Sequence, residues 1–263
     1  MIIKRPWGKK KPPLGARHDH SHPLSRGLIG HWLTNEGGGL TTYDISGNSN
    51  NGIITGNPVW TQGQFGPALQ LDGTGDYIVN SALSPALTGD FTVTAFVKAN
   101  ASETEVVRRI FDIAQASAVG FNIGITDAGE LYIDNDGVLV PTDVFGPSIF
   151  DGTRRHVGAM RSGTTYSIWA DGRNVGSVVG TVVTVTRLFA GAKSTVEGNE
   201  LIGAMDDIRL YKRALSPMEV AWLYADPFAD MMPMRLFIGK RTKPGIVPLL
   251  RHREMIRRRR RAA

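Results

Sequence analysis

The sequence predicts an all-β sandwich. Short segments of alternating apolar and polar residues recur along the middle of the chain, separated by turn residues at the roughly eight-to-twelve-residue spacing typical of sandwiches. Strands do not alternate with helical stretches, so a parallel α/β sheet is excluded. The first clear strand is Gly27-Leu28-Ile29-Gly30-His31-Trp32-Leu33. Turn-rich stretches follow at Gly37-Gly38-Gly39 and at Asp44 to Gly52. Further strands are expected at Ala68–Leu71, Tyr77–Asn80, Phe91–Lys98, Arg109–Ala114, Phe121–Thr126 and Glu130–Ile133. In the third of these, Phe91, Val93, Ala95 and Val97 share one face and Thr92 and Thr94 the other, the period-two pattern of a half-buried strand. Asp171-Gly172 lies between the strand segments Tyr166–Ala170 and Arg173–Val175 and supplies the positive φ angles of a tight hairpin turn. One helix is signalled after Ser216, with Pro217 at its first position and Glu219 three residues on, a capping box. Val220, Leu223 and Tyr224 form its apolar stripe, and Pro227 lies just beyond its end.

Composition narrows the functional classes. The chain has 263 residues and no cysteine, which excludes disulfides, thiolate zinc sites and a thiol nucleophile. It has no apolar run of membrane-spanning length and no secretory signal pattern at Met1–Lys11, so a cytoplasmic site of synthesis and folding and no membrane association are expected. The net charge of +6 is unevenly placed. Residues 1–26 carry +6 and residues 235–263 carry +10, leaving −10 on the segment between them. Pro6, Pro12, Pro13 and Pro23 and the absence of periodicity mark residues 1–26 as an extended arm, and residues 227–263 as a second basic extension.

The order of motifs resembles the laminin G-like, concanavalin A-like jelly-roll modules of bacterial and phage proteins. Gly27-Leu28 with Trp32 looks like the opening strand of these modules, and Asp44-x-Ser46-Gly47-Asn48-x-Asn50-Asn51-Gly52 like an early turn. Phe65-Gly66-x-Ala68-Leu69-x-Leu71-Asp72-Gly73-x-Gly75-Asp76-Tyr77, Arg155-His156-Val157 and Trp169-Ala170-Asp171-Gly172 are similar to the next motifs. Ile202-Gly203-Ala204-Met205-Asp206-Asp207-Ile208-Arg209-Leu210-Tyr211 with Glu219-Val220 resembles the closing strand and helix. The resemblance covers about three-quarters of the chain. It implies a two-sheet antiparallel jelly roll over residues 27–226 with one short C-terminal helix, flanked by the basic arms.

The resemblance also implies a structural calcium on the sandwich rim, held by Asp44, Asn51, the carbonyl of Gly52 and Asp207, with Asp76 nearby. Oxygen donors in turns suit calcium, while the same residues also belong to turns for backbone reasons alone. His18, His20 and His22 would share one face of an extended arm and could bind a metal, or stand in solvent. No Glu-x-Asp-x-x-Glu run of the sandwich glycosidases is present, and no carboxylate pair or Ser/His/Asp set is singled out, so a non-enzymatic role is expected.

The arms present Lys4, Arg5, Trp7, Lys9, Lys10, Lys11 and Arg17 at one end and Arg251, Arg253, Arg257, Arg258, Arg259, Arg260 and Arg261 at the other. They could meet acidic protein surfaces or, without sequence specificity, nucleic acid. Joined to the resemblance, this charge layout implies a phage virion component assembled in the host cytoplasm: a capsid decoration, head-fibre or tail-associated protein, expected as a homo-oligomer, with virion structural proteins as partners and a host glycan as a second candidate ligand. A bacterial glycan-binding lectin-like module is the alternative, and a sandwich-fold glycoside hydrolase the lesser one.

Overall fold

The structure is a computed structural model, and it describes residues 10–100, 107–114, 120–135, 144–146, 148–180, 182, 184–192 and 199–232. In chain order the first strands are β1 (Arg17–His18), β2 (Leu28–Trp32), β3 (Thr41–Thr42), β4 (Gly52–Thr55), β5 (Val59–Gln62) and β6 (Pro67–Asp72). They are followed by β7 (Tyr77–Asn80), β8 (Phe91–Ala99), β9 (Arg108–Ala114), β10 (Gly120–Ile125), β11 (Leu131–Asn135) and β12 (Val144–Phe145). The chain closes with β13 (Arg155–Ser162), β14 (Thr165–Ala170), β15 (Arg173–Val179), β16 (Arg187–Ala190), β17 (Ile202–Tyr211), the helix α1 (Pro217–Ala225) and β18 (Met231–Met232).

Two antiparallel sheets form the jelly-roll sandwich that the alternation predicts. One runs β12-β11-β10-β9-β16-β7-β4-β3, the other β15-β14-β13-β8-β17-β6-β5, with β2 also paired to β17. Phe91, Val93, Ala95 and Val97 of β8 point into the space between the sheets with Ile123, Ile133, Ile168, Met205 and Leu210, and all are buried. Each large side chain removed from water here contributes about 1.5–3 kcal/mol. Trp32 is locked in this layer by its indole N–H, which donates to the Asn50 carbonyl at 2.7 Å. The Asn50 amide donates in turn to the Ile29 and Ser84 carbonyls, so one turn residue joins three segments.

The hairpin and the helix follow their local signals. Asp171 and Gly172 adopt φ of 48° and 79°, as a two-residue primed turn requires. Ser216 caps α1, its hydroxyl accepting from the Glu219 N–H while the Glu219 carboxylate accepts from the Ser216 N–H at 2.9 Å. Val220 and Leu223 face inward, but Tyr224, expected on the same stripe, is 44% exposed.

Two expectations change once the outer face of the second sheet is considered. Thr92 and Thr94 do not face water: both are about 1% exposed. β8 is buried on both sides because a third layer covers it. That layer is α1 together with residues 10–26 and 226–232. The sequence reading treated residues 1–26 as a free arm, whereas residues 10–26 pack down. Leu24 is fully buried with Leu28, Met160, Trp169 and Tyr211, and Ala16 is buried with Leu33, Phe228 and Met231. β1 pairs with β18, Arg17 opposite Met232 and His18 opposite Met231. Isolated apolar residues in a proline-rich stretch carry no periodicity, which is why their packing is not visible in the sequence pattern. Lys4, Arg5, Trp7 and Lys9, and all residues from 233 on, lie outside the described residues.

Candidate functional site

Two features of the covered sheet bear on function: a buried ionic clasp beneath the third layer, and a pocket at the sandwich edge. The clasp is built on β17. Between Asp206 and Arg209 the pairing with β8 slips, and Asp207 sits at φ 50° in the resulting bulge. The extra residue lets Asp206, Asp207 and Arg209 all reach the outer side, while Met205, Ile208 and Leu210 stay in the core. Bulges re-aim side chains in this way.

Arg209 is the centre of the clasp. Its guanidinium donates to both carboxylate oxygens of Asp230 at 3.2 Å and to the Pro227 carbonyl, and its Nε lies 3.5 Å from Asp207. A line of contacts closes the ring: Asp230 to His18 Nδ1 at 2.8 Å, His18 Nε2 to His31 Nδ1 at 2.9 Å, and His31 Nε2 to Asp207 at 2.6 Å. All five side chains are buried. A second ionic cluster lies alongside, centred on buried Asp206. Asp206 meets Arg154 at 2.7 Å and Lys11 at 3.8 Å, and the Lys11 ammonium also donates to the Pro67 carbonyl. Lys11, expected to be a free arm cation, is instead an anchor, while Lys10 and Arg17 remain exposed.

Burial pushes the Asp207 carboxyl up, but Arg209 and then His31 outweigh it and hold it at about 2. Asp230 is likewise held well below the carboxylate range, burial being overcome by Arg209 and by the His18 hydrogen bond. For Asp206 burial wins over Lys11 and Arg154 and raises the carboxyl to about 6. Burial lowers His156, packed against Phe96, to about 4.

These shifts predict an acid profile. His31 and His156, both lowered by burial from 6.5 to about 4, each cost stability as pH falls from 6.5 toward 4. Asp206, raised from 3.8 to about 6, gains stability as pH falls through 6 and offsets part of that loss. Asp207 and Asp230 contribute stability that is present above their unfolded value of 3.8 and lost as pH falls below it. Scanning calorimetry across pH is therefore expected to show a Tm that declines below about pH 6 and falls more steeply below about pH 4. A Tm level from pH 7 to about 4 would contradict it.

The residues expected to hold calcium do not assemble into an oxygen cage. Both Asp44 oxygens are used: Oδ1 accepts from the His31 and Ser46 N–H groups, Oδ2 from the Asn50 N–H and the Ser46 hydroxyl. Asn51 Oδ1 accepts from the Asp44 N–H, and Gly52 packs against Ile78 and Thr42. Asp76 accepts from the Asn57 and Asp72 N–H groups, and Asp207 belongs to the clasp. With their oxygens facing N–H or O–H donors, Asp44, Asn51 and Asp76 organise turns, and Asp207 is held by His31 and Arg209. The three arm histidines also separate: His18 is buried in the clasp, His20 is exposed, and His22 accepts from the Leu24 N–H and meets the Trp222 ring. Among the described residues no group of three or more His, Asp or Glu converges as metal ligands.

The pocket, of about 350 Å³, lies where the edges of the two sheets meet. Leu131, Ile149, Ala170 and Val175 form its apolar lining, and Tyr224 of α1 is one wall. Arg155, Asp171 and Arg173 supply its charge. Arg155 is bridged on one side to Asp171 at 2.8 Å and on the other to Asp151. Hydrogen bonds from Thr153, and then Arg155, hold the Asp151 carboxyl at about 2. Both carboxylates near the pocket thus face one guanidinium instead of a shared cleft, unlike a hydrolytic pair flanking a substrate bond. No motif in the sequence marks this pocket except the Asp171-Gly172 turn, which docks on α1 beside Tyr224.

Comparison with known proteins agrees with this architecture. The family described as the concanavalin A-like lectin/glucanases superfamily matches residues 72–221. Among solved structures, the chain is similar to the sialidase of Trypanosoma rangeli in complex with the inhibitor DANA, at 14% identity and a TM-score of 0.60 over 75% of this chain and 32% of that one. It is also similar to the binding domain of Paraclostridial Mosquitocidal Protein 1, at 14% identity and TM-score 0.59 over 78% of this chain and 53% of that one. The binding domain of Botulinum neurotoxin DC, in complex with rat synaptotagmin II, gives 12% identity and TM-score 0.59 over 77% and 52%. The chain thus spans about a third of the sialidase and about half of each toxin domain. At these identities the likeness is one of fold. No curated protein matches the sequence.

Proposed function

The chain belongs to the concanavalin A-like lectin/glucanases superfamily, and from that premise we propose that it is a non-catalytic binding module, held on a phage particle by its basic ends. The supporting observation is the clasp. Through the β1–β18 pair and the His18–Asp230–Arg209 contacts, residues 17–18 and 230–232 are fastened to one face of the sandwich. Beyond these points residues 1–9 carry Lys4, Arg5 and Lys9, and residues 233–263 carry eleven Lys/Arg against Glu254 alone. Residues 10–232 carry −7. An acidic body joined to two basic segments suits attachment to an acidic shell, with the rest of the sandwich turned outward.

The test is peptide mass spectrometry on density-purified particles from a lysate of the source, with the chain quantified against the major shell protein. A fixed ratio, lost when residues 234–263 are deleted, is the expected result. Recovery of the full chain only in the soluble fraction overturns the particle reading. The edge pocket favours a second reading, a free glycan-binding module, in which sugar binding persists without either basic end.

A further inference from the structure

We infer that the edge pocket binds a saccharide residue bearing a carboxylate, with the Arg173 guanidinium receiving the acid and Tyr224 facing the ring. The inference rests on the binding-module reading and adds the ligand class.

Three observations point this way. First, the pocket is concave and mostly apolar, with a few charged groups at its margin, the usual make-up of a small-molecule site, and about 350 Å³ is room for a sugar ring or two. Second, its wall is an aromatic side chain left 44% exposed by a helix that buries its neighbours Val220 and Leu223. A pyranose presents apolar C–H faces that pack on such a ring, as apolar bodies with polar edges generally do. Third, the two arginines differ. Arg155 is satisfied by Asp151 and Asp171. Arg173 lines the same pocket, is exposed, and its guanidinium makes no hydrogen bond or ion pair with any described residue. Asp171 also accepts from the His156 N–H at 3.0 Å, so it is committed to the turn and to Arg155.

The site therefore offers one uncommitted cation beside an apolar, aromatic-walled hollow. A guanidinium fork recognises a carboxylate bidentately. The Asp171-Gly172 turn fixes its position: Gly172 at φ 79° lies against Ala221 and Tyr224, so the hairpin end carrying Arg173 is seated on the helix that carries the ring.

The experiment is an NMR titration of the full chain with methyl glucuronide, methyl glucoside and benzoate as separate probes. Expected are shifts confined to residues around the pocket, with the glucuronide bound about fivefold more tightly than the glucoside, the contribution of one half-exposed charge pair. Arg173→Gln should bring the affinity for the glucuronide down to that for the glucoside. Tyr224→Ala should weaken both sugars. Equal binding of the two sugars overturns the acidic preference but keeps a sugar-binding module. Benzoate binding as tightly as the glucuronide makes the site a general amphipathic-anion pocket and overturns the saccharide assignment. No binding of any probe overturns the site itself and leaves the particle measurement to decide the module's role independently.

Discussion

Replacing Arg209 with methionine is expected to lower the stability of the module by about 3–5 kcal/mol, the cost of leaving buried charges without their partner. Asp207 and Asp230 are both buried and both held ionised chiefly by this one guanidinium. The methionine fills much of the arginine's volume, so the loss reports charge more than cavity. Urea unfolding followed by tryptophan fluorescence measures it, since Trp32 and Trp169 lie in the two layers joined here. Adding Asp230→Asn and Asp207→Asn to Arg209→Met should recover part of the loss, because amides cost less to bury than unpaired carboxylates. A single variant with an unchanged midpoint would show that the clasp does not hold the third layer.

The second large effect concerns where the N-terminal segment can be cut. Deleting residues 1–9 should leave the unfolding midpoint unchanged, since Lys10 onward supplies every N-terminal contact described. Deleting residues 1–26 should leave the protein insoluble or unfolded. That cut removes Leu24 and Ala16 from their clusters, takes His18 from Asp230 and Lys11 from Asp206, and leaves β18 without its partner. Large exposed apolar patches on a monomer lead to aggregation. Comparing soluble yield and midpoint for the two truncations checks this. A stable, soluble protein lacking residues 1–26 would restore the free-arm reading of that segment.

Much of the sandwich could be read in the sequence because each strand reports its own inner face. The 91–97 alternation, the Asp171-Gly172 turn and the Ser216 capping box are local signals, and the structure follows them. The third layer is a non-local property. Its segments contribute single anchors, such as Lys11, His18 and Leu24, that acquire meaning only against β8, β13 and β17. One signal did exist: Phe96, Met160, Trp169 and Tyr211 occupy the positions that alternation assigns to the outer face. A strand apolar on both faces needs a cover on each. The acidic pair Asp206-Asp207 was legible as a special site, but its partners were not. The cations that answer it come from Lys11, Arg154 and Arg209, and sequence spacing does not bring the first two near. The pocket was hidden for the same reason, since its lining comes from four strands, the 146–149 segment and a helix.

The β1–β18 pair also sets how the molecule would carry a load. Arg17 and Met232 lie opposite each other at one end of this two-stranded ribbon. A pull on residue 232 would load the ribbon first and open it one residue pair at a time, like a zip, reaching the Arg209 contacts next. A pull on residue 10 would meet a different resistance, because Lys11 and Ala16 precede the ribbon and must leave their partners before it is strained. The ribbon is thus the yielding point for a tether on the C-terminal side, and the Lys11 contacts are the yielding point for one on the N-terminal side.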